Sequence, residues 1–163
     1  MAVPTSDFEA IVADEKTWLE GITVANGYFV AVNTVEREVQ NFDNVRGKYP
    51  YIGIAECVQA EVEELPSDVT HVRVQQQIVT YITQAASGDV AAPADGNKVL
   101  NAWLEAIRHR LNGRRTFGGF AIDARVATWQ TNQGQHFDDG SWVRAASLDV
   151  YIEYEDTRSD QGA

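Results

Sequence analysis

The sequence predicts an α+β domain of two layers: a mostly antiparallel sheet of about five strands with two main helices packed on one face. Three observations predict it. Two segments repeat their apolar residues every three or four positions, the period of an amphipathic helix. Several long segments alternate apolar and polar residues, the period of a half-buried strand. The order of elements is helix, strand, strand, strand, helix, strand, strand. Long alternating strands in that order imply an antiparallel sheet, one face under the helices and the other more polar.

The first helix lies in "SDFEAIVADEKTWLEG", where Ser6 and Glu9 form a capping-box pattern. Phe8, Ile11, Val12, Trp18, Leu19 and Ile22 follow helical spacing, the stripe lapses at Glu15, and Gly21 sits where a glycine stops a helix. Asn26-Gly27 reads as the turn into a strand, "GYFVAVNTVEREV". "QNFDNVRGKYP" reads as a loop, "YIGIAECVQAEV" after Pro50 as the second strand and "EELPSD" as a turn. "THVRVQQQIVTYITQ" is a long third strand. Val72, Val74, Ile78 and Ile82 share one of its faces, interrupted by Gln76 and Thr80. The other face holds His71, Arg73, Gln75 and Gln77, with Val79 and Tyr81 further along.

After a small-residue loop over 85–96, "NKVLNAWLEAIRHRLNG" is the clearest helix. Leu100, Trp103, Leu104, Ile107 and Leu111 form its stripe, Asp95 or Asn97 suits its start, and Gly113 sits past its end. Two alternating strands, "FGGFAIDARVATW" and "SWVRAASLDVYIEYED", close the fold, joined by a polar hairpin loop "QTNQGQHFDDG". Residues 1–156 are expected to form one domain, with a disordered C-terminal tail over 157–163. The polar face of the sheet is expected to carry Val79, Tyr81, Trp129 and Tyr151. Large apolar groups on an otherwise polar face mark a candidate subunit interface, with Tyr81 and Tyr151 as candidate contacts.

The 163 residues are 44% hydrophobic and 23% charged, enough for one domain with a substantial core. The net charge of −11 disfavours binding to a nucleic-acid backbone, which needs clustered Lys and Arg to displace counterions. Cys57 is the one cysteine, so an internal disulfide or a cysteine-based zinc site is excluded, and a buried thiol in a strand is expected. No apolar run approaches the ~20 residues needed to span a bilayer. The opening "MAVPTSDFEA" lacks the basic and apolar regions of a signal peptide, and the chain is expected to be intracellular where it is made.

The motifs argue against catalysis. Gly21 and Gly27 follow a helix rather than open one, five residues separate them, and Tyr28 comes next; a P-loop needs four residues, then Lys and Ser or Thr, and a dinucleotide fingerprint fails for the same directional reason. "FGGF" is equally weak, because it too leads into a strand. His71, His109 and His136 have no partner at metal-binding spacing. "HFDDG" groups His136 with Asp138 and Asp139 and is the one candidate for a metal-dependent hydrolase, with His71 or His109 brought in by folding, although Asp and Gly are also what a hairpin loop requires. Gly140-Ser141-Trp142 is not a nucleophile elbow. The expectation is a protein without enzymatic activity, cofactor or metal.

One basic stretch stands out, "RHRLNGRR", with Arg108, Arg110, Arg114 and Arg115. Arg108 and Arg110 suit the negative end of a helix dipole. In so acidic a chain the cluster is also suited to an acidic patch on a neighbouring copy, with Asp138 and Asp139 as candidate contacts. Head-to-tail contacts of that kind close into rings.

The segments "IVADEKTWLEGITVANGYFVAVNTVERE", "YPYIGIAE", "VRVQQQIVTYI", "VLNAWLEAIRHRL" and the ending "LDVYIEYED" resemble phage minor tail proteins of the tail terminator class. The resemblance covers the order of elements across nearly the whole chain and rests on pattern, with no catalytic motif. Neck and tail-completion proteins share the same plan. The resemblance implies a structural virion protein: an α+β subunit that forms a homohexameric ring, caps the tail tube, ends its polymerisation and presents a surface to the neck or connector protein. DNA then passes through the lumen without being read, and an acidic lumen repels its phosphates. The family has no active-site residues to carry over.

Overall fold

A computed structural model of the chain describes residues 6–41, 44–65, 69–83, 93–136 and 142–156. Helix α1 spans Asp7–Leu19; strands follow at β1 (Thr34–Glu36), β2 (Tyr51–Glu64) and β3 (Thr70–Thr83); helix α2 spans Pro93–Asn112; β4 (Asp123–His136) and β5 (Trp142–Asp156) complete the sheet. The strand order is β1-β2-β3-β5-β4, and every pairing is antiparallel except the short parallel β1–β2 contact. Both helices lie on one face, so the fold is the α+β two-layer arrangement expected from the sequence.

The start of α1 follows its capping pattern. The Ser6 hydroxyl accepts from the Glu9 amide at 3.0 Å. Glu9 does not reach back to complete the box; its carboxylate holds Arg37 through two bonds of 2.6 Å. Gly21 follows the helix without adopting positive φ. Its missing side chain serves a different purpose: a Cβ there would overlap the Arg110 guanidinium.

The first expected strand shrinks to Thr34–Glu36. Ahead of it Val24–Asn26 forms a 3-10 turn, because local side chains satisfy its backbone. The Thr23 hydroxyl accepts from the Asn26 amide at 3.2 Å, and Asn26 Nδ2 donates to the Gly21 carbonyl at 2.7 Å. Tyr28, Val30 and Val32 still pack against the core, so the alternation seen in the sequence reports burial rather than sheet pairing. Gly27 leaves the turn at φ 90°, in the left-handed region. Gly27→Val is expected to cost about 1–3 kcal/mol through backbone strain alone, since nothing lies within 4 Å of the added Cβ. An unchanged urea midpoint would refute this.

"FGGF" is likewise not the start of a strand. Phe117–Gly119 forms a 3-10 turn that buries Phe117 completely, and β4 begins at Asp123. At its other end β4 runs through residues 130–136, where a loop was expected. Gln130, Thr131 and Asn132 pair with Ser147, Ala146 and Ala145, and an edge strand can be held by one neighbour without an apolar face. A register shift between Val126 and Thr128 reverses which residues of β4 face the helices. Trp129 therefore stands opposite Leu148, on the helix side, and not on the polar face where simple alternation puts it.

The main core lies between helices and sheet. Ile11 and Leu19 of α1 and Trp103, Leu104 and Ile107 of α2 pack on Ile52, Ile54, Val74, Ile78, Leu148, Val150 and Ile152. The two polar interruptions of β3 are both inside it. Thr80 donates to the Tyr51 carbonyl and accepts from the Trp103 indole, each at 2.7 Å. Gln76 lies beneath Glu15, and both are fully buried. Among the described residues no helix is long and apolar enough to cross a membrane.

Candidate functional site

The face of the sheet opposite the helices divides into two zones. At one end Val45, Tyr51, Tyr81, Val143 and Ala145 form a second, smaller core, with Tyr49 and Val79 packed against it. The segment over 44–50, which includes a cis Tyr49–Pro50 bond, supplies Val45 and Tyr49 to cover this end. The Tyr51 and Tyr81 rings stack at 5.6 Å. The Tyr81 hydroxyl donates to the Gln40 carbonyl at 2.7 Å, and that of Tyr51 to the Glu38 carbonyl at 2.6 Å. Burial pushes both phenols up from their ordinary pKa. Tyr81, expected on an exposed patch, is 6% exposed: the loop that follows β1 folds over it.

The remainder of that face is open and charged. Register places Glu61, Arg73, Glu153 and Asp123 in one row across β2, β3, β5 and β4. The next row outward is Glu63, His71 and Glu155; the next row inward is Gln59, Gln75, Tyr151 and Arg125. Asp149 follows, between Gln77 and Thr128. Glu153 holds Arg73 at 3.4 Å and lies 3.6 Å from His71. The two rows from Glu61 to Asp123 and from Gln59 to Arg125 line a shallow depression of about 430 Å³, with Tyr151, 43% exposed, among its lining residues. Carboxylates outnumber the guanidiniums of Arg73 and Arg125, so the open face is acidic.

The basic stretch ties elements together. Arg110 Nε donates to the Trp18 carbonyl at 2.7 Å and its guanidinium lies 3.5 Å from the Trp18 ring centre, while the Trp18 indole donates to the Arg110 carbonyl. Arg114 approaches the same ring at 5.0 Å and grips Asp14 through bonds of 2.6 and 2.7 Å, which hold its pKa up. Arg115 grips Asp123 through two bonds of 2.7 Å and so keeps that carboxyl below its usual range. Arg108 pairs with Glu105 one turn back on α2. All four candidate arginines are engaged within the chain, and three of them pin the end of α2 to α1 or to the start of β4. Asp138 and Asp139 lie outside the described residues.

Among the described residues no three His, Cys, Asp or Glu side chains converge. His71 sits on the open face, His109 is exposed near the end of α2, and His136 ends β4. The charge rows depend on the register between strands, which the alternation along any single strand does not give. Neither protein-family models nor curated proteins match this chain.

Proposed function

We propose that this chain is a structural virion protein of a tailed phage: a tail terminator that closes the tail tube as a homohexameric ring and forms the joint to the head and neck. The observation that carries the reading is the open sheet face. It is broad, acidic and built from side chains that compensate one another, and no three metal-donor side chains converge among the described residues. Turned toward the axis of a ring, such a face lines a channel that repels a phosphate backbone and lets DNA slide without being held. The partners are further copies of the chain, the tail tube protein and the neck or connector protein. The location is the head-proximal end of the tail, with the host cytoplasm as the site of assembly.

Mass photometry of the purified protein, alone and with tail tube protein, is expected to show a hexamer. A monomer under both conditions overturns the reading. Electron cryomicroscopy of virions then separates a terminator, seated on the tube, from a neck or tail-completion adaptor, seated on the connector.

A further inference from the structure

We infer that successive copies of this chain join edge to edge, the outer side of β2 in one copy pairing with the outer side of β4 in the next. The inference rests on the ring reading above and names the surface that closes the ring. Among the described residues both edges are open: β1 covers only Tyr51, Ile52 and Gly53 of β2, and no strand lies beyond β4. Residues 58–64 of β2 and 127–132 of β4 are exposed along their length. Unpaired edges of this length are templates for another strand.

Polarity fits. Counting across the sheet, β4 runs antiparallel to β2. Rotation about an axis roughly along the strands preserves strand direction, so β4 of one copy meets β2 of the next antiparallel, and the contact is heterologous, as a ring requires.

The side chains fit as well. On the helix side, β2 exposes Val62, 64% exposed, and β4 exposes Trp129, 42% exposed, while Val58, 61% exposed, lies in the β2 bulge between Cys57 and Gln59. Level with Ile54 at zero offset, Trp129 comes level with Cys57, beside Val58, with an offset of two residues, and edge pairing then covers part of this apolar surface. On the open side β2 presents Glu61 and Glu63, and β4 presents Arg125, an exposed cation whose charge within the chain also acts on Asp123. Asp123, the one acid of β4 on that side, is already neutralised by Arg115. Within the sheet Arg125 is level with Gln59 and one row from Glu61, so Glu61 is the nearest acid at zero offset and becomes its direct partner with a two-residue offset.

The test is a charge exchange followed by native mass spectrometry of the full chain over a concentration series. Arg125→Glu and Glu61→Arg are each expected to raise the midpoint concentration for ring assembly about tenfold, and the double variant to restore it to near the unsubstituted value. Both side chains are exposed, so circular dichroism of each variant should match the parent. Amide exchange in residues 58–64 should slow on assembly. Rings that form unchanged in both single variants, or exchange in that segment that does not slow, overturn the edge pairing while leaving the ring standing. A chain that stays monomeric throughout, with and without tail tube protein, removes both.

Discussion

Trp103→Ala is expected to lower the unfolding free energy by about 3–5 kcal/mol, the usual range for emptying a buried tryptophan site. Trp103 lies on the apolar stripe of α2 with no exposed surface and touches the sheet through its indole as well as its ring. Its N–H donates to Thr80 Oγ1, which in turn donates to the Tyr51 carbonyl, so the substitution removes volume and breaks a buried chain of two hydrogen bonds. Small domains have only about 5–15 kcal/mol in all, so the alanine variant is expected at the margin of folding. Thr80→Val separates the two contributions. It keeps the volume but leaves a buried indole N–H and a carbonyl without this partner, at a cost of about 1–3 kcal/mol. Urea denaturation of both variants checks the pair. A Trp103→Ala loss under about 1 kcal/mol would show that α2 does not dock as described.

The second large effect is a dependence on pH. Glu15 sits on the buried side of α1 with no exposed surface, and desolvation pushes its carboxyl up to about 8 from an ordinary value of 4.5. Gln76 beneath it and the charge of Arg37 pull the other way without overcoming burial. The Gln76 amide is close enough to favour the carboxylate, yet no oxygen or nitrogen of either side chain meets a partner at good hydrogen-bonding geometry. Because the folded pKa lies above the unfolded one, the folded state holds its proton more tightly. The stability Glu15 contributes is complete below about pH 4.5 and is lost as pH rises through about 8. From the size of the shift, the loss is on the order of 5 kcal/mol once the group is fully ionised. Thermal melts of the parent from about pH 5 to about pH 9 should therefore fall more steeply than those of Glu15→Gln, which keeps the shape and cannot ionise. Parallel melting curves would show that the carboxyl is not held neutral.

Glu15 also shows what could be read in advance. The apolar stripe of α1 runs Ile11, Glu15, Leu19 at four-residue steps, and that of β3 runs Val74, Gln76, Ile78 at two-residue steps. Each stripe has a polar interruption, and in the fold the two interruptions face one another. The periodicity of each element is legible because it depends on neighbours along the chain. Their meeting depends on how α1 lies across the sheet, which no single segment encodes. The basic stretch behaves the same way. Its charges are obvious in "RHRLNGRR", but whether they face a partner or pin Trp18, Asp14 and Asp123 depends on residues about a hundred positions away and on the neighbouring strand.

From the sequence alone follow the two layers, the two amphipathic helices, the capping of α1 by Ser6, the turn at Gly27 and the helix-facing residues of β3. All of these come from backbone sterics and from side-chain periods of 3.6 and 2, which act over a few residues. Only the tertiary structure decided that residues 27–33 stay outside the sheet, that Tyr81 is covered, that Trp129 belongs to the helix side, and that the open face is ordered into charged rows. Strand pairing and bulges set those outcomes. One extra residue in β4 exchanges its two faces, and that residue is placed by β5 across the sheet rather than by anything adjacent to it.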